Sequence, residues 1–312
     1  MKRPVIIASV ALVAIFMLPL ILNTFHLSVA TRILVLALFA VAFNLVFGFG
    51  GMPSLGHAAY FGVGGYTLGL FATGTELPIL VIITLAILFG GGLGALIGVL
   101  TLRTNGIYLL LLTLAAAQAL YGLAFQQVRL TGGDNGIAGI SRNLLPFVTD
   151  TASFVRVTGV IVVTALVVLY LVSQSVTGLA LHAHRIAPER LQALGFNVQR
   201  LRITAFSVSG AFSSLAGVLF VFTNRFVGPE NLTWSISAAV MLYAIFGGAR
   251  YFTGPIVGAA TLTVIETVVS GVTTRWLTVL GLTYILVVMF LPDGLLGRAH
   301  TLFTRTQQQA RS

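Results

Sequence analysis

ILVLALFAVAFNLVFGFGGMPSLGHAAYFGVGGYTLGLFATGT, Ile33 to Thr75, contains no Asp, Glu, Lys or Arg in 43 residues. A helical membrane span needs about 20 predominantly apolar residues, so this run is about twice the length of one. Two membrane segments must share it. The break falls where glycine and polar residues cluster, at GFGGMPSLGH from Gly48 to His57. Unwound backbone at membrane depth is tolerated only when it is buried in protein or lines a cavity, where its carbonyls and amides are offered to a small polar solute. Asn44, Gly51, Ser54, Gly56 and His57 are therefore candidate residues of a translocation pathway. The competing reading is a tight helix hairpin whose polar side chains are satisfied by neighbouring helices.

The rest of the chain agrees with this start. Of 312 residues, 8% are charged and 57% hydrophobic, whereas a soluble domain carries about 25% charged residues. The mean hydropathy is +1.03, and little length remains for a water-soluble domain. Further apolar segments read as Val5 to Phe25, Leu77 to Leu102, Ile107 to Phe125, Phe154 to Val176, Ile203 to Phe222, Ser235 to Phe246, Gly254 to Val272 and Trp276 to Pro292. With the two in the opening run they make about ten membrane segments in one domain, 1–312, an all-α polytopic helical membrane protein with Gly-rich discontinuous segments. The first run exceeds the 7 to 15 residues of a signal-peptide core and reads as a span, although Ser28-Val29-Ala30 also resembles a cleavage site.

A cytoplasmic N-terminus places Lys2, Arg3, Arg103, Arg185, Arg190, Arg200, Arg202, Arg250, Arg298, Arg305 and Arg311 on the inner side. Arg32, Arg129, Arg142, Arg156, Arg225 and Arg275 then fall outside. The positive-inside rule favours this orientation, with both termini and the C-tail, 293–312, cytoplasmic. The net charge of +10 is thereby an inner-leaflet property, and no basic stripe with interleaved aromatics points to nucleic acid. Small residues at four-residue spacing, Gly90, Gly94 and Gly98 above all, let helix backbones approach closely.

Catalytic chemistry is scarce. Cysteine is absent, which removes thiolate metal sites and Cys nucleophiles. Glu266 is the only acidic residue deep in an expected span, and no second carboxylate lies one or two turns away. His182 and His184 lack the i, i+4 spacing that binds a metal from one helix face. No catalytic site, metal or bound cofactor is expected. A P-loop requires a Gly-rich turn followed by Lys, and the sole lysine is Lys2. If ATP drives transport, another polypeptide hydrolyses it. An ion-coupled carrier acting alone, with Glu266 as its coupling residue, is the alternative from a different class.

Two connections carry further information. TGGDNGI, Thr131 to Ile137, suits a fixed turn on the outer side, either a docking surface or a plain connector. The longest inner connection, GLALHAHRIAPERLQALGFNVQRLRI from Gly178 to Ile203, mixes Arg185, Glu189 and Arg190 with Leu191 and Leu194. A short amphipathic helix stopping at Gly195 fits it, docking a partner or lying on lipid.

NLVFGFGGMPSLGHAAYFGVGGYT, NGIYLLLLTLAAAQALY, LTGGDNGI, LGFNVQRLRITAFSVSGAFSSLAGVLF, NRFVGPENLTWSIS, FGGARYFTGPIVGA and LPDGLLG occur in this order between about Ala37 and Gly297. As a set they resemble the LivM-type permeases of bacterial branched-chain amino acid ABC importers. The resemblance implies a permease subunit in the bacterial cytoplasmic (inner) membrane. Its partners would be a second homologous permease, two cytoplasmic ATPase subunits that bind ATP, and an extracytoplasmic substrate-binding protein. It also implies that the loop 178–202, with Arg185, Glu189, Arg190 and Gly195, docks into the ATPases, and that GGMPSLGH forms part of the path. Leucine, isoleucine and valine are the leading substrates; similar permeases carry urea, short amides or aromatic acids. Two places depart from the pattern. Ile186, Ala187 and Pro188 follow Arg185, so the coupling helix is expected to start later, near Glu189, because proline suits a first helical turn and not an interior. Ala249, Arg250, Tyr251 and Phe252 replace the small residues usual before the GP pair.

Overall fold

The computed structural model of the chain describes residues 2–290 and 294–298. Of the expected C-tail, residue 293 and residues 299–312 lie outside the described residues. The helices, in chain order, are α1 (Lys2–Ile21), α2 (Thr24–Asn44), α3 (His57–Gly74), α4 (Ile79–Leu100), α5 (Gly106–Gln126), α6 (Val128–Thr131) and α7 (Thr151–Gln174). They continue with α8 (Val176–Ile186), α9 (Pro188–Ala193), α10 (Val198–Asn224), α11 (Trp234–Gly247), α12 (Gly254–Val272) and α13 (Trp276–Phe290). α1 to α5, α7 and α10 to α13 correspond one for one to the ten expected segments. Six helical stretches among the described residues are long and apolar enough to cross a membrane, and α1 and α11 supply shorter apolar lengths. The chain is an all-α polytopic membrane protein.

Local chemistry sets several boundaries. Asp150 caps α7 by accepting from the Ser153 amide at 2.9 Å, and the Ser153 hydroxyl accepts in return from the Asp150 amide at 3.0 Å. This reciprocal pair satisfies two donors that a helix start leaves open. Asn197 accepts from the Arg200 amide at 2.9 Å and starts α10 at Val198. α10 is therefore longer than the expected segment from Ile203, and it takes residues 198–202 out of the inner connection.

The core forms where glycine and serine let backbones touch. α4 presents Gly90, Gly94 and Gly98 to α10, where a side chain on any of them would meet Gly210, Phe206 or Ile203. Ser207 Oγ donates to the Gly91 carbonyl at 2.9 Å, and Ser214 Oγ donates to that of Ala86 at 2.6 Å. On its other side α10 meets α3, with Gly217 directly on the Phe61 carbonyl. α2 is central: Val35 to Phe43 are all buried. α1 joins through Ile15, which fills the notch above Gly159 on α7.

These contacts sort the chain into two ends. One gathers residues 44–51, the 101–105 turn, α8, α9, the start of α10 and the 248–253 turn, against which Gly294 packs. The expected inner-side residues Arg103, Arg185, Arg190, Arg200, Arg202 and Arg250 lie in this group. The opposite end holds a feature unforeseen from sequence, a two-residue antiparallel ladder pairing Ile137 with Val227 and Ala138 with Phe226. It pins the TGGDNGI turn against the end of α10. Arg142 reinforces the junction by donating to the carbonyls of Phe222, at 2.9 Å, and Thr223 while its guanidinium lies 4.4 Å over the Phe154 ring.

Candidate functional site

The break in the opening run begins as a widening of α2. Residues Leu45–Phe49 form a π-helical turn, closed by the Gly50 amide donating to the Leu45 carbonyl at 3.2 Å. Such turns are rare and recur at functional places in helices. Asn44 Nδ2 donates to the Ala249 carbonyl at 3.0 Å, fastening this turn to the 248–253 connection. Gly51 follows with φ +68°, and a side chain there would run into Arg185.

α8 clamps the break from the end of the bundle. Arg185 Nη1 donates to the Gly48 carbonyl, and His184 Nδ1 donates to that of Gly50 at 2.9 Å. The carbonyl can only accept, so the proton sits on Nδ1. Burial lowers the His184 pKa below its ordinary 6.5, with Arg202 adding to the effect and the Gly50 bond opposing it; burial and Arg185 lower that of His182. A histidine whose folded value is depressed contributes stability above the unfolded value and loses it as pH falls. The seating of α8 is therefore expected to loosen on acidification below about pH 6.5. Hydrogen exchange of the 176–186 peptide, corrected for intrinsic rates, should rise at pH 5.5 relative to pH 7.5, and His184→Asn should remove much of that difference.

Beyond the clamp the chain turns back into the bundle. Ser54 and His57 are fully buried, and Asn44 is 1% exposed. Ser209 Oγ donates to the Ala42 carbonyl at 2.6 Å, so it accepts from His57 Nε2 at 2.9 Å. His57 Nδ1 is then the acceptor for Ser54 Oγ at 3.1 Å, whose lone pair takes the Gly56 amide at 3.2 Å. The network assigns a single neutral tautomer to His57. The Leu55 amide donates to Thr113 Oγ1 at 3.1 Å and the Ala58 amide to Ser237 Oγ at 2.7 Å. Gly56 lies against the Thr113 backbone. The unwound stretch is thus satisfied by hydroxyls from α5, α10 and α11, which sequence reasoning missed. For Ser209 the signal is the run of serines along α10, Ser207, Ser209, Ser213 and Ser214, of which the last three are fully buried.

Of the five expected pathway residues, Asn44, Ser54, Gly56 and His57 are enclosed within the protomer. Gly51 is exposed and lines an open cavity of about 470 Å³ together with Arg185, Pro188, Glu189 and Arg202. Two groups of residues assigned different roles from sequence therefore meet at one place. The inner connection is two helices, α8 and α9, rather than one. α9 starts with Pro188 in its first turn and stops at Gly195, φ +85°, as expected. Leu191 seats it on the bundle, while Glu189, Arg190 and Leu194 are exposed. Among the described residues no three His, Asp or Glu side chains gather as a metal site.

A broken membrane helix is thus held by an end-face helix, and the helix pair there presents charged and apolar side chains outward. The family model for the branched-chain amino acid transport system / permease component matches residues 25–291. The chain belongs to that family. It is 27% identical over 303 aligned residues to the high-affinity branched-chain amino acid transport system permease protein LivM of Salmonella typhimurium, covering 89% of this chain and 71% of that protein. The LivM protein of Escherichia coli is 26% identical over 304 residues, with the same coverage of both chains. No solved structure matches the chain. Its role is transport rather than catalysis.

Proposed function

We propose that this chain is the path-forming subunit of an ATP-driven importer for leucine, isoleucine and valine in the bacterial inner membrane. It works with a second homologous permease, two cytoplasmic ATPase subunits and an extracytoplasmic binding protein. The end carrying α8 and α9 faces the cytoplasm, with both chain termini on that side, and the ATP sites lie on the partner subunits. The observation that carries the reading is the pair of bonds from His184 and Arg185 to the carbonyls of Gly50 and Gly48. They join an outward-facing docking helix pair directly to the discontinuous segment of the membrane core.

In this mechanism nucleotide closure moves the ATPases, and α9 takes up the movement through Glu189 and Arg190, with Gly195 ending it in a fixed turn. α8 passes the displacement to the Gly48–Gly51 turn. The segment from Asn44 to His57 then shifts, opening the path toward the cytoplasm. Breaking that segment's internal hydrogen bonds is part of the work ATP supplies, since each buried polar group left unpaired costs about 1–3 kcal/mol. The binding protein imposes most of the selectivity.

Labelled-leucine uptake in cells with and without the gene, varying ATP supply and proton gradient separately, tests the reading. An ATP-dependent, valine-competed signal that disappears on deletion is the expected result. Unchanged leucine uptake with loss of urea or phenylalanine uptake would move the substrate within the same transporter class, and ablation by gradient collapse at normal ATP would replace the importer by an ion-coupled carrier. Substituting Glu189 and Arg190 together by Ala should lower substrate-stimulated ATP hydrolysis by about tenfold, a coupling loss of about 1.4 kcal/mol, with the permease still inserted and folded. Unchanged stimulation would remove α9 from the coupling route.

A further inference from the structure

Charged side chains inside membrane segments are costly and are retained mainly for function. Arg32 on α2 and Glu266 on α12 form an ion pair at 2.8 Å through one guanidinium nitrogen and one carboxylate oxygen. It is the only salt bridge among the described residues. Arg32 lies eight residues into α2, roughly 12 Å from its first residue at 1.5 Å per residue, and so in the half of the bundle remote from α8 and α9. Neither side chain makes another hydrogen bond among the described residues, and their side chains are 40% and 19% exposed. The second guanidinium edge and the second carboxylate oxygen are open.

They open into a cavity of about 470 Å³, within the usual range for a small-molecule site. Its walls are mainly apolar, with Leu36 and Phe39 on α2, Phe61 on α3, Phe220 on α10 and Leu242 on α11, while Ser235, Tyr243 and Tyr284 add hydroxyls to the lining. Phe39 and Phe61 pack against each other with their rings tilted by 37° and 4.7 Å between centroids. One positive group, one negative group and an aliphatic-to-aromatic lining match a particular ligand chemistry. A free α-amino acid carries a carboxylate and an ammonium on the same carbon, with its side chain beside them.

We infer that this cavity is a site for a zwitterionic amino acid with an apolar side chain, its carboxylate on Arg32, its ammonium on Glu266 and its side chain against Phe39 and Phe61. The inference deepens the import reading and rests on it. Insertion exchanges one ion pair for two of the same net charge, so no uncompensated charge is left in the low-dielectric membrane. A guanidinium can donate two parallel bonds to a carboxylate, and Arg32 gives only one to Glu266. A ligand lacking either charge would leave one member of the pair without a partner, and binding would discriminate against it on that ground.

Saturation-transfer NMR on the assembled transporter in lipid nanodiscs, with the binding protein omitted, reads weak binding directly. Leucine is the probe, with leucinamide and 4-methylpentanoate as analogues lacking the carboxylate or the amine. The expected result is a leucine signal at least about tenfold above either analogue, competed by valine and lost in Arg32→Gln and Glu266→Gln. Gly281→Leu leaves the ion pair intact and projects into open space beside the cavity, so it should also abolish the signal while the protein elutes normally on size exclusion. Equal signals for the three probes, or a leucine signal unchanged in well-folded Gly281→Leu and Glu266→Gln, would overturn the site. ATP-driven leucine uptake by the unsubstituted transporter is measured in parallel. Failure of that uptake overturns the import reading, whereas intact uptake with indifferent variants overturns this site alone.

Discussion

Gly217→Leu is expected to yield almost no folded protein, while Gly92→Leu on a neighbouring helix leaves stability unchanged within about 0.5 kcal/mol. The difference comes from what a side chain meets. A Cβ on Gly217 overlaps the Phe61 carbonyl oxygen and lies within 2.8 Å of its carbon, both backbone atoms that cannot rotate aside. α3 and α10 would have to separate. Overpacking a tight core usually costs 1–3 kcal/mol and sometimes more, and separation here also stretches the His57 to Ser209 bond, 2.9 Å, eight residues back along α10. A loss above about 3 kcal/mol is a large part of the 5–15 kcal/mol that keeps a domain folded. Gly92 has no heavy atom within 4 Å of its Cβ position and is exposed, so leucine there faces lipid. Fluorescence-detected size exclusion of the detergent-solubilised variants after graded heating checks both; a monodisperse Gly217→Leu with wild-type thermal stability would show that the α3–α10 contact is looser than described.

The second large effect is expected at Arg202. This side chain is 4% exposed and joins the start of α10 to the α4–α5 turn. It donates to Asn105 Oδ1 at 3.0 Å, to the Thr101 carbonyl at 2.8 Å and to the Thr104 carbonyl at 2.7 Å. Both carbonyls lie in the turn that follows α4, past its last residue, Leu100. Arg202→Met keeps apolar volume but removes every donor, and hydrogen bonds to charged groups contribute about 1.5–3 kcal/mol each. A net loss of about 3 kcal/mol is expected. Arg202→Lys should recover only part of it, since one ammonium cannot reproduce the planar fork that reaches all three acceptors. The midpoint of thermal unfolding reads the order wild type, Lys, Met, and equal values for Lys and Met would assign the effect to geometry rather than charge.

Much of the architecture was legible along the chain. The ten segments, the break between Gly48 and His57, the late start of α9 at Pro188 and its stop at Gly195 all follow from local rules of length, apolarity and backbone freedom. The site was legible only as a set of suspects. Asn44, Ser54 and His57 stand out because they are polar in an uncharged run, but polarity does not say what they face. Their partners Ala249 and Ser209 are 205 and 152 residues away, and the Ser237 hydroxyl that holds the Ala58 amide is 179 away. The likeness to LivM-type permeases pointed to the docking loop. It carried no sign that α8 grips the break itself.

The sequence by itself determined that this protein lives in a bilayer, roughly how many membrane segments it builds, and where one of them breaks. Those properties depend on composition and on residues near one another in the chain. Tertiary structure alone decided which helix faces touch, that four of the five suspected pathway residues are enclosed by other helices and turns, and that Arg32 meets Glu266 beside a mainly apolar cavity. α2 and α3 are apolar on nearly every side, so no periodic stripe marks an inward face. In lipid, where burying apolar surface supplies little drive between helices, close approach at glycine and serine selects the partners. That selection requires two complementary surfaces, here Gly90 to Gly98 against Phe206 to Ser214, and complementarity is a property of the pair that neither segment carries alone.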